Sequence, residues 1–136
     1  LKVLEESLAA VAAARGPARL LLHLSFGDVA PLYRDLQALP VDALGLDFTY
    51  SPKLPALIAD LGSVKPLALG LIDARNTKLE TKESVFPVLD AVLPALKTGP
   101  TYLMPSCGLE FLPRGRARLK LETLKRLRDD YLGEHS

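Results

Sequence analysis

The sequence predicts an α/β fold built on a parallel sheet, and three observations predict it. Four short runs are almost uniformly apolar, a helical pattern follows each, and His23, Asp47, Asp73 and Cys107 close or follow those runs. Strands buried on both faces read as continuous apolar runs rather than as an alternation. Strand–helix alternation implies a parallel sheet with right-handed crossovers. Polar residues gathered at strand carboxyl ends mark the place where such sheets do chemistry.

Lys2–Arg15 is Ala-rich with apolar residues at helical spacing, which predicts a helix stopped by Gly16-Pro17. Leu20–Leu24 is the first strand, reaching toward Phe26, and Gly27-Asp28 makes the turn. Asp28 is placed to cap a helix over Val29–Leu39 with Pro31 in its first turn and Pro40 at its end. Ala43–Phe48 is the second strand, followed by a helix over Lys53–Leu61 that Gly62 ends. Leu67–Ile72 is the third, leading through the polar loop Asp73–Lys78 into a helix near Lys82–Leu96. Pro87 and Pro94 each remove a backbone donor there, so a kink or break is expected. Tyr102–Met104 is the fourth strand, and the loop Pro105–Gly115 precedes a basic helix over Arg116–Leu132 with a frayed end from Gly133.

Four strand–helix repeats are half of a TIM-type (β/α)8 barrel, which takes about 250 residues. With 136 residues the chain is one segment: either a small doubly wound domain or a half barrel completed elsewhere. A half barrel alone exposes two strand edges, a liability in water. The first residue is Leu1, so the chain reads as a piece of something longer. A net charge of +1 gives no field for nucleic acid, and no apolar run is long enough to span a bilayer. One cysteine excludes an internal disulfide and fits a reducing cytoplasm.

Each strand-end residue has two readings. His23 and Ser25 share one face of their strand, so they can share a site; alternatively His23 is a core histidine donating to a backbone carbonyl. Asp47 lies in the apolar run LGLDF, where a carboxylate needs a cation, a metal or several donors; Arg75 is the alternative to a metal. Asp73, Arg75 and Asn76 concentrate hydrogen-bonding groups at the mouth, or simply stabilise a turn. Cys107 is a soft metal ligand once deprotonated, or an inert buried thiol. Met104 reads as core. The charges of the last helix (Arg114, Arg116, Arg118, Lys120, Lys125, Arg126, Arg128) read as a solvated outer face.

Four stretches, Phe26–Val29, Leu39–Asp47, Gly70–Asn76 and Pro105–Cys107, together resemble cobalamin-independent methionine synthase, in order over most of the chain. The likeness is to the second half of that family's N-terminal barrel. The family has two related (β/α)8 barrels and moves a methyl group from 5-methyltetrahydrofolate polyglutamate to homocysteine, with zinc in the C-terminal barrel and no bound cobalamin. By the resemblance, His23 falls at the zinc histidine, Ser25 at its cysteine partner, Asp47 at the glutamate and Cys107 at the second cysteine. Ser25 and Asp47 depart from that pattern, which implies a degenerate zinc site.

The leading expectation is a structural, substrate-holding segment that packs against the remaining half barrel and a catalytic barrel, in cis or on another chain. Ser25, Asp73, Arg75 and Asn76 are its candidate substrate-binding residues. Two alternatives stand beside it. One is a divergent metal-dependent methyltransferase with His23, Asp47 and Cys107 as ligands; the other is a non-catalytic assembly module pairing through its open edges.

Overall fold

The computed structural model of the chain describes residues 1–135. Its strands are β1 (Leu21–Leu24), β2 (Ala43–Asp47), β3 (Leu67–Ile72) and β4 (Tyr102–Pro105). They lie in one sheet in chain order, and every neighbouring pair is parallel. A doubly wound sheet reverses its strand order at a switch point. No reversal occurs here, so the winding is that of a barrel. The helices are α1 (Lys2–Ala14), α2 (Tyr33–Leu36), α3 (Leu54–Leu61), α4 (Lys82–Val92) and α5 (Arg114–Glu134).

The two-residue period of the strands sorts their side chains into two unlike faces. Leu44 and Leu46 of β2 stand beside Leu67 and Leu69 of β3. These four are fully buried in a core with Tyr33, Leu36, Ile58, Val85, Leu89 and Leu127. Burying each such leucine contributes about 1.5–3 kcal/mol. The opposite face has a floor of small residues, Ala43 and Gly45 on β2 with Ala68 and Gly70 on β3. Leu21 and His23 flank that floor on β1, and Tyr102 and Met104 flank it on β4.

The smallness of this floor lets the sheet edges meet above it. A Cβ on Gly45 would lie 3.2 Å from His23 Cδ2 and 3.3 Å from Met104 Sδ. Met104 therefore packs on the floor rather than in the helix-side core. At Gly70 the restriction comes from backbone, since a Cβ there would lie 2.7 Å from the Leu46 carbonyl oxygen and 3.0 Å from Ser106 Cα. Each outer strand has only one neighbour, and Leu21 and Tyr102 on these edges remain nearly half exposed.

Three helices differ from their sequence patterns. The stretch after β1 forms a 3-10 turn, Ala30–Leu32, and then the single turn of α2. Asp28 Oδ1 accepts the Ala30 amide two residues on, at 3.0 Å, which makes an Asx turn in place of a longer helix cap. In α4 the exposed Pro87 is absorbed, whereas Pro94 coincides with the break at Val92 and a 3-10 turn over Leu93–Ala95. The end of α5 is held where fraying was expected. Tyr131 Oη donates to Asp90 at 2.8 Å, and Lys82 pairs with Asp130 and Glu134. Ser136, the last of the residues expected to fray, lies outside the described residues. The solvated-face reading of this helix fails at Lys120, which is fully buried. Among the described residues no helix is long and apolar enough to cross a membrane.

Gly70→Ala is expected to cost about 1–3 kcal/mol, because the methyl meets backbone that cannot step aside. Gly27→Ala, with nothing within 4 Å of its added methyl, is the control. Equal urea midpoints for the two variants would contradict the packing described.

Candidate functional site

Asp47 is the last residue of β2, on the small-residue face, with 0% of its surface exposed. A carboxylate there is tolerated only if its lone pairs are met. Oδ2 accepts from Arg75 Nη1 at 2.7 Å and from the Phe26 amide at 3.2 Å. Oδ1 accepts from the Thr49 hydroxyl at 2.6 Å and the Thr49 amide at 2.9 Å, with Arg75 Nη2 at 3.4 Å. Burial pushes the Asp47 carboxyl up. The bonds from Arg75, Thr49 and Phe26 outweigh it and hold the group below the usual carboxylate range.

Arg75 reaches Asp47 from the loop after β3, and that loop is built to aim it. Asp73 Oδ1 accepts the Arg75 amide at 3.0 Å and faces Arg75 Nε at 3.3 Å. Asp73 Oδ2 accepts from Asn76 Nδ2 at 2.5 Å, and Asn76 Oδ1 accepts the Lys78 amide at 3.0 Å. Two rings bracket the guanidinium: Tyr50 with its centroid 4.2 Å from Arg75 Cζ, and Phe26 at 5.3 Å. Phe111 meets Phe26 edge-on at 5.9 Å. All three rings are about half exposed or more.

Phe26 has φ 65°, the left-handed region that a bulky L residue avoids at a cost of about 1–3 kcal/mol. The conformation aims its amide at Asp47 and its ring at Arg75. Strain there is offset by those two contacts.

His23 Nε2 donates to the Ser106 carbonyl at 3.1 Å, spanning from β1 to the segment after β4. His23 thus donates to a backbone carbonyl while half-buried. Ser106 is itself fully buried; its amide donates to the Ile72 carbonyl at 2.8 Å and its Oγ accepts the Ala74 amide at 3.1 Å. It thus ties β1, the β3 loop and the end of β4 together. Ser25 lies half-buried just past β1. Cys107 is buried, with Sγ 3.6 Å from the Gly108 carbonyl. Burial pushes the thiol pKa up, only partly offset by Ser106 and Arg75, so the protonated form is favoured.

The donor set does not fit zinc. The metal reading needs His23, Asp47 and Cys107 to converge, yet among the described residues no three His, Cys, Asp or Glu side chains form a group able to hold a metal. The carboxylate already holds a guanidinium.

The family described as the N-terminal domain of cobalamin-independent synthase matches residues 1–96. The chain belongs to that family. A 5-methyltetrahydropteroyltriglutamate–homocysteine methyltransferase of Streptococcus suis is 34% identical over 105 residues, covering 76% of this chain and 14% of the relative. A methionine synthase of Saccharolobus solfataricus is 29% identical over 110 residues, covering 79% and 32%. In structure, a B12-independent methionine synthase from a Shewanella species superimposes with TM-score 0.66 at 21% identity, over 93% of this chain and 44% of that one. The likeness establishes a TIM-barrel-like fold. The chain spans about one third or less of these curated relatives.

Sequence reasoning missed Thr49, Tyr50, Ser106 and Phe111 as parts of the site. A signal for the aromatic members was present: Phe26, Tyr50 and Phe111 each stand shortly after a strand in a chain with eight Phe and Tyr residues in all. Ser106 carried no such signal, because its worth lies in what its backbone meets.

Asp47→Asn is expected to lower stability by about 3 kcal/mol by leaving Arg75 short of a buried counter-charge. Because the folded carboxyl titrates below its ordinary value near 3.8, its contribution is complete above that value. It is lost as pH falls through the lower folded value. The variant should therefore lose that part of the acid limb, and chemical denaturation at stepped pH reads it. An unchanged acid limb would show that Asp47 does not carry the effect.

Proposed function

We propose that this chain is the C-terminal half of an N-terminal-type (β/α)8 barrel of a cobalamin-independent methionine synthase. Its work is to complete that barrel and hold substrate at the mouth. The observation that carries this reading is a singly wound sheet of four parallel strands with both edges unpaired. It occurs in a chain spanning 44% of the Shewanella synthase structure. Eight strands close such a barrel. The remaining strands pair along β1 and β4, and a catalytic barrel packs beyond them, in cis or as another chain.

The reaction on this reading is methyl transfer from 5-methyltetrahydrofolate polyglutamate, or another methyl donor, to homocysteine. No cobalamin takes part. Activation of homocysteine belongs to another segment or chain, since Asp47 is committed to Arg75 and no three metal-ligating side chains group together among the described residues. What this segment offers a small-molecule substrate is a rigid rim. Arg75 is neutralised by Asp47 and Asp73, Asn76 and Ser25 supply polar contacts, and the exposed faces of Phe26 and Tyr50 receive a flat group. We place the protein in the cytoplasm, where its single thiol stays reduced.

The purified chain alone is expected to transfer no methyl group to homocysteine. Activity should appear on co-expression with the missing half barrel and the catalytic barrel. Turnover by the isolated chain would overturn this division of labour. The open-edge reading has its own check in sedimentation velocity: the isolated chain should self-associate as concentration rises, through the edges at Leu21 and Tyr102. A monodisperse monomer would contradict it.

A further inference from the structure

Among the charges of α5, Lys120 stands apart: it is fully buried, and its Nζ lies 2.8 Å from Glu80 Oε1. A lysine ammonium leaves water only where an anion compensates it. Here the anion comes from the far end of the loop that carries Arg75. The same Glu80 oxygen also accepts the Asp73 amide at 3.0 Å. Asp73 is the residue whose carboxylate orients both the amide and the Nε of Arg75. Arg75 in turn closes on Asp47. One continuous polar run therefore joins the last helix to the centre of the strand-end site.

We propose that Lys120 is a positioning residue for Arg75, acting through Glu80 and the Asp73 amide. The physical logic is one of compensation. Glu80 Oε1 is shared between Lys120 and Asp73, while its Oε2 is buried with no hydrogen-bond partner in the structure. Without the ammonium, Glu80 is a largely buried carboxylate whose remaining bond comes from one backbone amide. The uncompensated carboxylate swings toward water, and that movement loosens its hold on Asp73. Asp73 then no longer fixes the loop at its first residue, and the guanidinium between Tyr50 and Phe26 loses its aim. This inference goes beyond the proposed methyl transfer and stands whichever substrate the mouth takes.

The test uses the full chain, ¹⁵N-labelled, and reads the Asp73 amide and the Arg75 Nε–H directly. In Lys120→Met, Asp73 amide exchange should quicken about tenfold or more as the loop opens locally, and the Arg75 Nε–H signal should shift or broaden. Lys120→Arg should leave both near their original values. Leu127→Ala, a core loss on the same helix, should lower global stability without singling out either signal. The double variant Lys120→Met with Glu80→Gln should restore Asp73 protection, because a neutral amide oxygen accepts that bond without a buried cation. Unchanged Asp73 exchange and Arg75 signal in Lys120→Met would overturn the proposal, as would equal changes in Leu127→Ala. If Lys120→Met does not fold, the double variant decides. Folded with Asp73 protected, it supports the tie; unfolded, it overturns it.

Discussion

The bidentate contact between Arg75 and the buried Asp47 is the constraint around which the strand ends are organised. A carboxylate with no exposed surface is costly to desolvate, and the same low-dielectric setting strengthens every bond that meets it. Its donors come from three chain segments: Phe26 after β1, Thr49 after β2 and Arg75 after β3. Removing the charge therefore does not merely subtract one ion pair. It frees the loop ends of three adjacent strands together.

The floor beneath makes that convergence possible. Ala43, Gly45, Ala68 and Gly70 leave the two central strands without bulk on this face, so side chains from both outer strands close over them. His23 can then reach the Ser106 carbonyl, and Ser106 can hold the β3 loop. Packing on the helix side is conventional by contrast, a leucine core that fixes the sheet and leaves its inner face to the site. The edges at β1 and β4 are left unpaired among the described residues, as the proposed half barrel requires.

Much of the fold was legible in the sequence, for reasons that particular elements show. β3 lies on the run Leu67–Ile72, since a fully buried parallel strand has only apolar residues to offer. The helix after β1 was overestimated because its pattern did not reveal that Asp28 would turn inward on Ala30. Asp47 was conspicuous as a charge in an apolar run, but sequence could not choose between metal and arginine. That choice depends on which loop faces it, 28 residues away. Lys120 was read as solvated for the same reason, its partner Glu80 lying 40 residues back. Phe26 gave no hint of its left-handed backbone, since nothing in a phenylalanine favours it.

Belonging to a synthase family sets the expectation of a metal at the strand ends, and the geometry answers with a guanidinium instead. On the proposed reading, a site whose carboxylate is saturated by an arginine serves as a rim rather than a reactive centre. Titration of the purified chain with cobalt(II), which reports thiolate and imidazole ligation through its visible and near-ultraviolet absorption, tests that claim most directly. The account predicts no thiolate-to-cobalt band, in the unsubstituted chain and in Cys107→Ser alike. A stoichiometric band that disappears in both Cys107→Ser and His23→Ala would contradict it.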